Sequence, residues 1–490
     1  MRHSAPRPLR TGVSDRSRDI MVPHPLLCPV HPAVRVVLWL LAVSLVGAGW
    51  ADTAIATEKG STALNEAQSA FEQKQYDRVL ALVGPLLADN GMAPDARRLK
   101  VRALVKLGKP KEALAEYERL EARLGKEDPG VLREVAFGFI TVLLTDMREQ
   151  MRGASYTALR ELESDETVPY FEDGLSDGSG LVRALATEGL GHLTAGRRSP
   201  RFAKMLADQA AIVRMAALKA MGRSGDRTFI PMIEQAVKDD QTSVRITAWG
   251  ALAMLGQAGA WDKVREGAAV KNPEDRGIAL KMLGALRDRR ALPVLEEALA
   301  DPQPSIRGAA AMACGDLGAG EAVPALIKLM ADPLPPVRVS AALSLGELES
   351  ADAVPALTKG LHDANAGARA AVASALLQLG RPFGEVEDTV RELTRHTDPG
   401  VRASAARAVA KTRGAAVRDA EGILRMLLTD PLPRPRIAAA RVLGHTGGDQ
   451  ARGLLKQTLR DNDDAVRATA AGSLIRLMDA TRSARKHDRN

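Results

Sequence analysis

Eight histidines and two cysteines are the residues of this 490-residue chain best suited to metal or nucleophile chemistry. No histidine is followed by Glu, and the chain has no C-x-x-C, C-x-x-C-H, G-x-S-x-G or Gly-rich phosphate loop. His192 and His445 each stand nine residues after a recurring Arg, but they are so far apart along the chain that no shared metal site is expected. Cys314 falls in a column of apolar residues and reads as core, not as a nucleophile. No catalytic residue, cofactor-binding residue or metal ligand emerges, so the chain reads as a non-enzyme with no cofactor. The residues that recur with regular spacing are Asp and Arg, and their chemistry is ion pairing and loop capping.

Arg152, Arg183, Arg214, Arg245, Arg276, Arg307, Arg338 and Arg369 follow one another at intervals of 31, and Arg402, Arg436 and Arg467 continue the series. Three residues after the Arg stands Ala in nine of eleven cases; seven after, all eleven positions are apolar. Six before it, Asp occurs nine times: Asp146, Asp177, Asp208, Asp239, Asp301, Asp332, Asp363, Asp430 and Asp461. A period of this length marks a repeat architecture. Each unit reads as two helices, the first opened by a recurring Pro (Pro169, Pro200, Pro231, Pro293, Pro324, Pro355), where the missing N–H costs nothing. A lone hairpin cannot bury its apolar stripe, whereas a stack can. Each Asp is expected to cap its loop and each Arg to bridge to a neighbouring repeat.

The segment Asp332–Glu349 (DPLPPVRVSAALSLGELE) resembles the HEAT repeat, in particular the short bacterial type also found in phycobilisome lyases, at Asp332, Val337, Arg338, Ala341, Ala342, Leu345, Gly346 and Leu348. The resemblance covers residues 128–478, about eleven units, and implies an all-α, right-handed α-solenoid of stacked helical hairpins. Deoxyhypusine hydroxylase, a metalloenzyme of this class, holds iron through His-Glu pairs that this chain lacks. Residues 61–127 repeat at 34, with Lys74, Val79, Val83 and Leu86 matching Gly108, Ala113, Tyr117 and Leu120, and resemble tetratricopeptide units. One continuous, extended superhelix is expected, on the order of 100 Å long, with a disordered tail over 479–490.

Val36–Ala51 is an uncharged, mostly apolar run after Arg35, ending in small residues, which reads as a signal peptide within residues 1–51. A periplasmic or secreted monomer is therefore expected; the alternative is an uncleaved leader anchoring it in the inner membrane. Either Met1 or Met21 could be the start. Four of the eight net positive charges lie in the leader, so the remainder carries no nucleic-acid signature.

Positions five and nine after each repeat Arg are expected to line the concave face. Towards the C-terminus they read Arg407, Lys411, Arg441, His445 and Arg476, a basic end suited to an acidic protein segment. In the middle they include Met312, Asp316, Leu343, Glu347 and Ser374. The function expected is an exported protein–protein interaction scaffold or assembly factor. The alternatives are a lyase-like or metal-dependent enzyme on the same repeats, or a binder of an anionic envelope polymer.

Overall fold

A computed structural model describes residues 60–88, 93–412, 417–447 and 449–487, and residues 64–490 form one compact unit. The leader reading and its cleavage site lie outside the described residues. The described chain is all-α, with no strand, and it is a solenoid of helical hairpins as expected.

Each repeat begins with a short outer helix, which in six repeats carries Pro in its first turn, as in Leu292–Leu299 and Val323–Leu329. A D-x-x-x loop then leads into a longer inner helix, as in Pro304–Leu317 and Pro335–Glu347. Eleven inner helices follow, from Glu149–Arg160 to Asp464–His487. Successive inner helices pack along their lengths, while neighbouring outer helices touch much less. That difference bends the stack, with the inner helices on the concave side.

Small residues permit the close inner packing. Eight residues after the repeat Arg, Gly222, Gly284 and Gly346 lie against the next inner helix; an added Cβ would stand 2.8 Å from Ala251 Cα, 2.6 Å from Ala313 O and 2.9 Å from Ala375 Cα. A methyl group there would push backbone apart.

The curvature closes on itself, which corrects the extended superhelix. Helix Asp464–His487 packs against Pro129–Thr141 and against the first inner helix. At this joint a Cβ on Gly472 would lie 3.3 Å from Ala158 Cβ, across 314 residues of sequence. Arg133 pairs with Asp479 at 3.0 Å, Arg148 with Asp464 at 3.0 Å and Arg460 with Glu118 at 2.6 Å. Arg452 reaches Glu127, and Lys456 reaches Glu121. Beneath these pairs lie Val135, Phe139, Ile475 and Met478, none more than 2% exposed. Helix Asp464–His487 runs on through residue 479, where Arg133 holds the Asp479 carboxylate. Eleven axes spaced ~9 Å make a ring ~30 Å across, leaving an opening of ~20 Å after one helix diameter is subtracted.

Residues 64–88 and 93–124 form helices beside the joint, among them Tyr76–Val83, Ala93–Lys106 and Pro110–Leu124. The 34-residue correspondence is visible in them: Lys74 and Gly108 both take left-handed backbone at the turn (φ 60° and 71°), and Val79, Val83, Leu86, Ala113, Tyr117 and Leu120 are all buried.

Candidate partner-binding surface

The Asp and Arg columns form a ladder in which seven rungs share one geometry. Arg183 donates from Nε and Nη2 to both oxygens of Asp208 in the next repeat, at 2.7 and 2.8 Å. Its Nη1 donates to the Asp177 carbonyl at 2.8 Å. Asp208 also accepts from the Ala210 backbone N–H, which caps the loop. Arg152–Asp177, Arg214–Asp239, Arg307–Asp332, Arg338–Asp363, Arg402–Asp430 and Arg436–Asp461 repeat the geometry. The guanidinium bonds, acting against partial burial and aided by the loop N–H, hold the carboxyls of Asp208, Asp332, Asp363 and Asp430 below the usual range. The expected structural role is what the geometry shows. Cys314 is fully buried, and desolvation pushes its thiol up to about 12, as befits a core residue.

Positions five and nine after the Arg do face the inner wall. Glu188, His192, Lys219 and Arg223 line one groove on it, and Lys219 feels Lys281 from two repeats away. Burial lowers the Lys219 ammonium, opposed by Glu188 and assisted by Arg223 and Lys281. Partial burial and then Glu347 raise the Asp316 carboxyl. Ser374, expected to face outward, is buried instead, in a helix packed on both sides.

The five C-terminal candidates divide into two groups. Arg407, Lys411 and Arg441 are exposed and, among the described residues, have no carboxylate within ion-pair distance. Arg407 donates to Ser404 Oγ at 2.6 Å, and burial together with Arg434 and Arg441 lowers its pKa. This patch is positive without internal compensation. His445 and Arg476 are different, because ring closure brings the first repeat to them. Arg476 Nη1 lies 3.1 Å from Glu161 Oε2 and 2.8 Å from His445 Nε2, while His445 Nδ1 lies 2.9 Å from the Arg441 carbonyl. Arg476 is thus an internal ion pair and not a free contact.

His192 and His445 are also not remote. Both line one cavity of about 850 Å³ at the joint, with Arg160, Glu161, Glu163, Asp165 and Arg476. Going round the ring, His445, Arg476, Glu161 and His192 occupy the same register on four successive inner helices. Among the described residues no group of three or more His, Cys, Asp or Glu side chains is placed to hold a metal ion. No helix among the described residues is long and apolar enough to cross a membrane.

The family model for HEAT repeats matches residues 199–276, 262–338, 323–384 and 420–485, together more than half of the chain. No curated protein matches the chain in sequence. Among solved structures, the complex of CpcE and CpcF of phycocyanin lyase from Nostoc sp. PCC7120 is similar at 25% identity and TM-score 0.33, over 45% of this chain and 94% of that one. Human deoxyhypusine hydroxylase is similar at 23% identity and TM-score 0.29, over 58% and 97%. A Kap121p mutant is similar at 14% identity and TM-score 0.33, over 82% and 54%. With the repeat geometry and the sequence match in agreement, the chain belongs to the HEAT-repeat family.

Proposed function

We propose that the protein is an exported, non-catalytic scaffold that holds an acidic segment of a partner protein on the inner wall of its ring. One observation carries this reading. The repeat-column arginines Arg402 and Arg436 are satisfied internally, yet Arg407, Lys411 and Arg441 stand with no paired carboxylate among the described residues. Such a group attracts an acidic chain by charge-assisted hydrogen bonds and steering. An opening of ~20 Å admits an extended segment or a single helix, ~10–12 Å wide, but not a folded domain. Export is supported by the basic flank and apolar run of Val36–Ala51.

The test is cross-linking in the native host from a photoreactive residue at Ser404, in the wild-type background and with Arg407, Lys411 and Arg441 all changed to Glu. The reading expects a specific adduct through an acidic stretch, lost in the triple variant while the fold is retained. An adduct of undiminished yield in the variant would refute it.

A further inference from the structure

The ladder has four irregular rungs, at Arg245, Arg276, Arg369 and Arg467, and they differ. Residue 25 after Arg369 is Thr394, and Glu392 supplies a carboxylate there instead, 2.8 Å from Nη2. At the joint Arg467 turns to Asp464 on its own helix. At Arg245 the residue 25 later is Val270, and no carboxylate replaces the missing Asp.

The Arg245 guanidinium is nevertheless held as in the other repeats. Its Nη1 donates to the carbonyls of Asp239 at 2.7 Å and Asp240 at 3.0 Å. Nη2 gives a hydrogen bond to Thr242 Oγ1 at 2.9 Å, and Nε has no hydrogen-bond partner among the described residues. Nε is also not a buried orphan, unlike Nε of Arg369. The Nε edge that elsewhere meets an Asp oxygen at 2.6–2.8 Å is therefore preoriented, open and unfilled.

The loop that should have carried the Asp is also displaced. Arg276, the next in the column, keeps Asp301 through Nη2 at 2.5 Å, but its Nε donates to the Ala268 carbonyl at 3.2 Å. Beside it a cleft of about 860 Å³ opens between the outer helices Ala260–Gly267 and Leu292–Leu299. Val270, Leu280 and Val294 give it an apolar floor, and Arg265 and Lys271 a positive edge. Glu266, Glu297 and Asp301 also line it, so the cleft is not a general anion trap. Asp275 is near enough to feel Arg245 but is not ion-paired with it.

We infer that Arg245 is a docking point for a carboxylate from outside the repeat array, presented by a partner polypeptide that lays a short apolar stretch over Val270. The protein displays the required geometry seven times in its own ladder: an Asp accepting both edges of the guanidinium, followed by an extended loop. This inference does not depend on the inner-wall cations, which lie on the opposite side of the ring wall from the outer helices.

The probe is a capped peptide copying the chain's own loop, residues 329–337 (LMADPLPPV), followed by fluorescence anisotropy on the intact protein. The expected result is saturable binding that weakens about tenfold or more when the peptide Asp is changed to Asn, the loss of one charge-assisted pair. Val270→Asp should fill the rung internally, raise thermal stability and abolish peptide binding, while Arg245→Gln should abolish binding without that stabilisation. Free acetate displacing the peptide at low millimolar concentration would assign the site to a small carboxylate and overturn the polypeptide part. No saturable binding, or binding unchanged in Val270→Asp, would overturn the inference altogether.

Discussion

Changing Asp208 to Ala removes one rung of the ladder at its most enclosed point. Arg183 is 7% exposed, and the Asp208 side chain is 8% exposed. The substitution deletes the bonds from Arg183 Nε and Nη2 and the cap on Ala210 N, and it leaves a nearly buried guanidinium with unpaired donors. Breaking such a pair from one side costs about 3 kcal/mol, at the lower end of the range for fully buried pairs because some water reaches it. Repeat arrays lose stability locally, so hydrogen exchange over residues 177–215 should report the loss more sharply than a global melt. Asp240→Ala is the matched control: its carboxylate is 79% exposed and touches Arg214 only at 3.2 Å, so the loss should be under about 0.5 kcal/mol. A double-mutant cycle with Arg183→Ala should recover most of the cost as coupling. If Asp208→Ala behaves like Asp240→Ala, the ladder is ornamental and the structural assignment of both columns fails.

Acid should unfold the protein. The carboxyls of Asp208, Asp332, Asp363 and Asp430 titrate lower in the fold than in the unfolded chain. Their stabilisation is thus complete above about pH 5, where unfolded Asp is fully ionised, and is lost as pH falls through the lower folded values. Circular dichroism against pH should be flat from neutrality to about 5 and then drop; a loss centred near pH 6 would contradict this. Gly284→Val should destabilise by about 1–3 kcal/mol or more, because the colliding atom is the Ala313 backbone and cannot swing aside; an unchanged melting temperature would refute the close-packing argument. Cys314 should resist alkylation until the protein unfolds, since its thiol is buried and pushed up to about 12; rapid labelling under native conditions would show that the core column opens.

Much of this was readable from spacing. The Asp–Arg columns recur because every repeat must solve the same loop-closure problem, so Arg338 and Asp363 carry their own explanation in the interval between them. Gly222, Gly284 and Gly346 share one distance from the repeat Arg, but that they admit the neighbouring helix backbone is seen only in the packing. The curvature was not readable. A period of 31 fixes that hairpins stack, whereas closure depends on a rotation of about 33° per repeat summed over eleven steps, and small differences in helix packing set that angle. The same blind spot misplaced Arg476 and His192. Arg476 was placed by its register after the repeat Arg and His192 by its distance along the chain, and only closure puts Glu161 beside Arg476 and His192 in the cavity with His445. The pairing of Glu118, Glu121 and Glu127 with Arg460, Lys456 and Arg452 likewise has no local signature. The empty rung was legible as Val270 in an Asp column, but its meaning needed the geometry of the other rungs.

Ring closure is the claim on which the inner wall, the joint cavity and the pairing of Arg476 all depend, and a disulfide tests it directly. Ala158 and Gly472 face each other with a Cβ separation of 3.3 Å, within a few tenths of an ångström of the ~3.5–4.5 Å a disulfide requires. The double variant Ala158→Cys/Gly472→Cys, oxidised at low protein concentration and run on a non-reducing gel, should give a fast-migrating monomer cross-linked between residues 158 and 472. Free thiols throughout, or bridges formed only between chains, would mean that the solenoid is open.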